Sequence, residues 1–294
     1  MAVERKENIQ GPSDRDAFAF VQALAQEMSA GKIEIPSFPD VAVRIRQVLA
    51  DDNCTSTQVA KVVGAEPGMT AKLLQMANSA ALNPSGNKIT ELKSAVARIG
   101  FANVRTASLA YAMQQIRNAP ALAPIRKPLN ELWEHSVKMA AMAYVAARRW
   151  ARVSADQALL AGLMHGVGKV YILARSAEHT ALFSDPARYQ QIVDDWHAAI
   201  AKAVLESWDI HPDIIEAIGS YEQLDRRGDH DPDLTDVLTI ADRLVSCQSD
   251  PALMEAQLAE ASASRRMGLT SESCQKALEE TADELASLHT ALGG

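Results

Sequence analysis

Five side chains in this sequence are of the types that hold a cation able to activate water: His135, His165, His197, His211 and Asp242. Two imidazoles and a carboxylate converging on one ion would supply that chemistry. His135 sits in LWEHS, near the start of a helical pattern. Asp242 stands alone among Val237, Leu238, Ile240, Ala241 and Leu244. An aspartate there is expensive to bury unless it is paired or ligates a metal. The plainer reading is three satisfied polar groups, with His165 bonded to Asp242 through an imidazole N–H. Spacing alone favours that plainer reading, because a lone histidine is more often a bonded core residue than a ligand.

The stretch that must position His165 is LLAGLMHGVGKVYIL, residues 159–173. Two apolar helical segments meet there at His165-Gly166-Val167-Gly168-Lys169. Glycine inside a helix costs roughly 1 kcal/mol against alanine. Two of them predict a kink, a turn or a close backbone approach.

The flanking chain reads as helices throughout. Ser13 offers an N-cap with Asp16 three residues on, and Phe18, Val21, Leu24, Ala25 and Met28 follow on one face to a stop at Gly31. Residues 33–39, with two prolines, form an extended connector after a polar, disordered start at 1–13. Helices are expected over 40–50, 57–64 and 67–79, then on either side of Gly100, the second ending near Ile116. The prolines at 120, 124 and 128 mark the best internal boundary. A long helix follows over 129–152, presenting Leu132, Ser136, Met139, Ala140, Ala143 and Ala147 inward, and Ser154 caps the next, over 155–165. Asp185-Pro186 and His211-Pro212 start two more, 224–233 is a charged and mobile loop, and 234–246 is an apolar helix. Asp250-Pro251 and Thr270-Ser271-Glu272 open two final amphipathic helices. No period-two segment survives, so the fold class is all-α.

Composition sets the bounds. The 294 residues are 48% hydrophobic, 22% charged and 5% aromatic, with mass for a real core. No uncharged apolar run of 18 residues occurs, so no transmembrane helix is expected, and the N-terminus lacks the apolar stretch of a signal peptide. Cys54, Cys247 and Cys274 lie far apart without CxxC spacing, which argues against a disulfide framework and for a reducing cytoplasm. The net charge of −8 is uneven: residues 32–152 carry 16 Lys and Arg against 8 Asp and Glu, while 153–294 carry 10 against 24. The basic half allows a nucleic-acid face or an attraction between lobes, although solvated helix faces account for most of it.

Seven stretches in order carry a family resemblance: IPSFPDVAVRIRQVLAD, EPGMTAKLLQMANSA, KITELKSAVARIGFANVRTASLA, LWEHSVKMA, LLAGLMHGVGKVYIL, HAAIAKAVLESWDIHPDIIEAI and VLTIADRL. Together they resemble the HDOD family, relatives of the HD-domain and HD-GYP phosphohydrolases that serve as signalling output modules. The resemblance implies an N-terminal helical subdomain over 32–124 and an HD-like helical subdomain over 125–250. Residues 1–31 then form a tail and first helix, and 251–294 the terminal helices. HD hydrolases need His…His-Asp…Asp. His135, His165 and Asp242 match the outer members, but Gly166 stands where the central Asp belongs. Lys169 matches the lysine that follows the doublet in many such enzymes, and His197 matches a histidine of related phosphodiesterases. Where a further histidine pair is expected, Ser220-Tyr221-Glu222 stands instead.

These departures imply a degenerate site with no cofactor and no catalytic residue, in a bacterial protein that works by contact with signalling partners in trans. Weak metal binding by His135, His165 and Asp242 as a two-His-one-carboxylate set is the enzymatic alternative. A small nucleotide-like anion meeting His165, Lys169 and Arg243 is a further option, set against Lys169 serving only as a helix-end cation. The nucleic-acid alternative rests on helix-turn-helix spacing between 59–64 and 69–75. Its recognition helix offers only Lys72, Gln75 and Asn78 as polar readers, so packing is the better reason for that geometry.

Overall fold

A computed structural model describes residues 12–31, 33, 39–51, 53–228, 230–247 and 250–294. Among them the regular structure is helical, with no strand. The connector expected at 33–39 and the polar start fall mostly outside the described residues.

Helix α1 (Pro12–Ser29) begins one residue before Ser13, so Ser13 lies inside it rather than at its cap. Its buried face is Ala17, Phe20 and Leu24, and Phe18 is exposed. The same period fits either stripe; Phe20 wins because its ring packs edge-on to His179 at 5.2 Å. Helices α2 (Asp40–Leu49), α3 (Ser56–Gly64) and α4 (Pro67–Ala77) follow the expected pattern. Thr55 and Gln58 close a capping box on α3, and Pro67 occupies the first position of α4, where no N–H is missed. The two helices expected around Gly100 form one run, α5 (Leu92–Asn118), broken at Gly100 with φ 74°. Only glycine takes that conformation cheaply.

The Ala119–Pro128 stretch contains a short 3₁₀ turn, Pro120–Ile125, and leads into α6 (Arg126–Trp150). Then come α7 (Ala155–Met164), capped by Ser154, and α8 (Val167–Ser176). Next are α9 (Pro186–Ser207), α10 (Pro212–Ser220) and α11 (Leu234–Cys247). The two stretches expected after Asp250 are each divided, into α12 (Pro251–Glu260) with α13 (Ser262–Arg266) and α14 (Ser271–Glu280) with α15 (Ala282–Leu292).

Helix α6 is the axis. Ser136, Met139, Ala140, Ala143 and Ala147 are buried on it, and it packs against α7, α11 and α15. Helix α5 gathers α2, α3 and α4 and also touches α7. The buried apolar side chains form one cluster, reaching from Ala17 to Leu292.

Two glycines allow the closest approaches. A Cβ on Gly162 would lie 2.6 Å from Ala140 Cα, so α7 rests backbone to backbone on α6. A Cβ on Gly168 would collide with the His197 carbonyl, which fixes α8 against α9. Residues 155–176 are long and apolar enough to cross a membrane by length and composition, but 89% of their most apolar 18-residue window is buried inside the fold. It is a bent core element.

The loop over 224–233, expected to be mobile, is tied down among its described residues. Arg226 binds Asp233 at 2.7 Å and the fully buried Asp236 at 3.1 Å, and Ser262 N donates to Leu224 O at 2.8 Å. Arg266 of α13 reaches the same Asp236 at 2.5 Å.

Candidate functional site

The bend between α7 and α8 delivers His165 to the place the sequence suggested. His165 ends α7, and its ring lies 5.2 Å from that of His135 on α6 and 5.7 Å from that of Tyr221 after α10. His135 Nε2 lies 3.9 Å from Asp242 Oδ1 on α11. The two histidines and the aspartate therefore share one cluster, built by α6, α7 and α11.

The bonds inside the cluster differ from the plain expectation. His165 does not bond Asp242. Its Nδ1 lies 2.7 Å from the Gly162 carbonyl, one turn back along α7. With Nδ1–H donating there, Nε2 keeps its lone pair. Asp242 Oδ2 accepts from its neighbour Arg243, at 2.5 Å to Nη2 and 3.2 Å to Nε. Burial pushes the His165 pKa down to about 4, a shift the Gly162 carbonyl partly opposes and nearby His135 and Lys169 reinforce. Burial also lowers His135, with Asp242 pulling the other way. The pair is neutral at neutral pH.

Sequence reasoning notes Glu222 only as a replacement for an expected histidine and gives it no contact. Glu222 follows α10, in the Ser220-Tyr221-Glu222 turn, and gathers three groups. Its Oε1 lies 3.2 Å from Lys169 Nζ and 2.9 Å from the Tyr221 hydroxyl, which donates to it, and its Oε2 lies 3.3 Å from His197 Nε2. The His197 bond, with help from Lys169 and Tyr221, holds the Glu222 carboxyl well below the usual carboxylate range. Burial and the same carboxylate push the Tyr221 phenol up. Lys169 is thus no helix-end cation. It lies in the first turn of α8, where the dipole disfavours positive charge, and it is held by Glu222.

Gly166 sits at the N-cap of α8 with φ −86° and ψ 3°, a conformation open to any residue. A Cβ there would meet only Ser136 Oγ, at 3.2 Å. The missing carboxylate is therefore a matter of sequence, not of backbone strain. Beside it opens a cavity of about 350 Å³ lined by His135, Ser136, His165, Gly166, Lys169 and Tyr189 among others. His211 stands apart from this cluster and caps α10, its Nδ1 accepting from Asp213 N at 3.3 Å.

The potential ligands that the described residues gather within 4.8 Å of one another are His230, Asp233 and Asp236. Both carboxylates there are neutralised by guanidinium groups, Asp233 by Arg226 and Asp236 by Arg226 and Arg266, so that cluster is a structural clamp. On α4, none of the three polar readers is free. Lys72 is buried, Gln75 donates to Thr290 O at 3.1 Å, and Asn78 bonds Leu74 O and Ile89 O at 2.8 Å each.

Comparison with known proteins agrees with this architecture. The HDOD domain family model matches residues 35–224. A Shewanella amazonensis protein provisionally named a metal-dependent phosphohydrolase superposes with a TM-score of 0.76 at 22% identity, over 95% of this chain and 99% of that one. An HDOD domain protein of unknown function from Geobacter sulfurreducens gives 0.61 at 20% identity, covering 92% and 96%. A Marinobacter aquaeolei protein, provisionally named for signal transduction, gives 0.58 at 17%, covering 98% of this chain and 67% of that one. At these identities the likeness is one of fold. The chain has no significant match among curated proteins.

Proposed function

The chain belongs to the HDOD family, and from that premise we propose that it is a non-catalytic signalling module, acting in the cytoplasm through protein partners in trans. The observation that carries this reading is the internal pairing of the old site. Lys169 and His197 share Glu222, Asp242 is held by Arg243, and position 166 has no side chain. A metal entering there would have to compete with an ammonium and a guanidinium for the carboxylates. Loss of an anionic ligand costs orders of magnitude in affinity on its own. The provisional naming of one structural relative for signal transduction is consistent with this role.

One feature favours a second reading, a weak metal-dependent phosphohydrolase. His165 keeps the backbone bond that orients a ligating imidazole, and its Nε2 is unprotonated. Elemental analysis of protein purified without chelator, combined with assays on cyclic dinucleotides, nucleotides and a generic phosphodiester, separates the two. The signalling reading expects substoichiometric metal and no turnover. Stoichiometric manganese or iron with turnover would establish the enzyme. A nucleotide-like ligand in the 350 Å³ cavity is compatible with the signalling role, and thermal shifts across a nucleotide panel test it. Direct base reading by α4 is disfavoured, since Gln75 and Asn78 are hydrogen-bonded within the fold and Lys72 is buried away from the surface.

A further inference from the structure

Away from the HD-like cluster, a buried ammonium and a half-buried guanidinium stand near one another with little to neutralise them. Lys72 of α4 is only 5% exposed, and no acidic side chain among the described residues acts on it. Its Nζ lies 2.7 Å from where a Cβ on Gly293 would stand, at the C-terminal end of α15. The same Gly293 carbonyl accepts from Trp133 Nε1 at 3.0 Å. Arg117 lies over the Trp133 ring, its guanidinium carbon 5.5 Å from the centroid. Arg117 Nε donates to Asn130 Oδ1 at 2.9 Å, but its Nη1 is buried without an acceptor. The α4, α5, α6 and α15 ends thus meet at an ammonium and a guanidinium.

We propose that Lys72 and Arg117, over the Trp133 ring, form a binding site for a small oxyanion of the phosphate class. A buried ammonium beside a guanidinium with one buried, unpartnered nitrogen costs free energy that a bound anion recovers. The available counter-charges fall short. Glu134, the acid that acts on Arg117, is half exposed and screened by water, and the end of α15 supplies only about half a negative charge. Guanidinium and ammonium groups are the usual recognition elements for tetrahedral oxyanions. Burial, and next the charge of Arg117, lower the Lys72 pKa to about 8, consistent with an ammonium lacking its partner. An anion seated here would bridge the N-terminal helices to α15, so its binding would tighten the terminal helices against α4 and α6.

The test is thermal unfolding of the full chain in sodium phosphate, sodium sulfate and sodium chloride at matched ionic strength. At tenfold over its dissociation constant phosphate is expected to raise Tm by roughly 2–4 °C relative to chloride. In Lys72→Met that response disappears, and in chloride the variant is at least as stable as the native protein. Lysine acetylation read by mass spectrometry gives a second measure that needs no variant: phosphate protects Lys72 more than the exposed lysines. No difference between phosphate and chloride, an undiminished phosphate response in Lys72→Met, or no selective protection of Lys72 would each overturn the site.

Discussion

Lys169 and Glu222, 53 residues apart, are joined across 3.2 Å, and the second oxygen of the same carboxylate reaches His197 at 3.3 Å. Glu222 thereby gathers Lys169, His197 and the Tyr221 hydroxyl about one carboxylate. An anion that would otherwise help hold a cation here holds a lysine. The consequence is an ion-pair network that ties α8 and α9 to the turn after α10.

Glu222→Gln should show this in the pH dependence of stability. The folded pKa of Glu222 lies below its unfolded value, because His197 and Lys169 favour the carboxylate. Its contribution is therefore present above the ordinary carboxylate pKa, about 4.3, and is lost as pH falls through the lower folded value. Glu222 is half exposed, so solvent screening limits the effect to about 1 kcal/mol at neutral pH. Urea midpoints across pH 7 to 2 should show the variant less stable at neutral pH and flatter below about pH 4. Parallel curves for the two proteins would mean the ion pair contributes nothing.

His165 titrates in a different window. Its folded pKa of about 4 lies below the ordinary histidine value of 6.5. The unfolded chain then binds more protons, and stability falls as pH drops from about 6.5 through 4. Because His165 is buried, that loss is on the order of 3 kcal/mol. His165→Asn, which can keep the bond to the Gly162 carbonyl, should flatten the curve over this interval while leaving the acid limb due to Glu222. A variant that keeps the native slope between pH 6.5 and 4 would show that another group titrates there.

How much of this is legible in the sequence follows from what each residue looks like in one dimension. His135, His165 and Asp242 are polar groups inside apolar helices, and such a group advertises itself by the cost of burying it. Glu222 does not: a glutamate just past a helix end looks solvated, and nothing local ties it to a lysine on another helix. Lys169 reads as a helix-end charge because the two glycines announce a break without fixing its place, and the break at His165-Gly166 puts Lys169 in the first turn of the next helix. Gly168 stands out beside Gly166, whereas Gly162, in the small-residue run Ala161-Gly162, does not. Phe18 reads as inward since helical period fixes the width of a stripe and not its rotation. The division of the terminal helices at Ala261 and Thr281 has no proline or glycine to announce it.

Gly162 is nonetheless a demanding position, second among the inner glycines to Gly168, whose Cβ would come 2.0 Å from the His197 carbonyl oxygen. A Cβ there meets Ala140 Cα at 2.6 Å and Ala140 N and Met139 O at 2.8 Å, all backbone atoms that cannot rotate aside. Gly162→Ala should cost roughly 1–3 kcal/mol or more through overpacking, despite the better helix propensity of alanine. The 5.2 Å spacing of His135 and His165 should widen with it, since α6 and α7 carry one ring each. Chemical denaturation measures the first effect. A variant as stable as the native protein would mean the two helices part without penalty.

Gly166→Asp tests whether a carboxylate at this position lets the cluster hold a metal. The backbone there suits any residue, and the Ser136 hydroxyl it would approach is a rotatable side chain, bonded at 2.9 Å to Leu132 O. Aspartate at the N-cap of α8 is itself favourable over glycine by about a few tenths of a kcal/mol. The variant should fold at least as well as the native chain, and its new carboxylate would stand beside the unprotonated His165 and within reach of the His135–Asp242 pair. Manganese should then raise the Tm of Gly166→Asp and appear in it by elemental analysis, with little effect on the native protein. Should the folded variant show no response to manganese, the Lys169–Glu222 and Asp242–Arg243 pairs, rather than the glycine, are what keep the site closed to metal. In that case Gly166→Asp combined with Glu222→His, which removes the lysine's partner and restores an imidazole donor, is the change expected to bind.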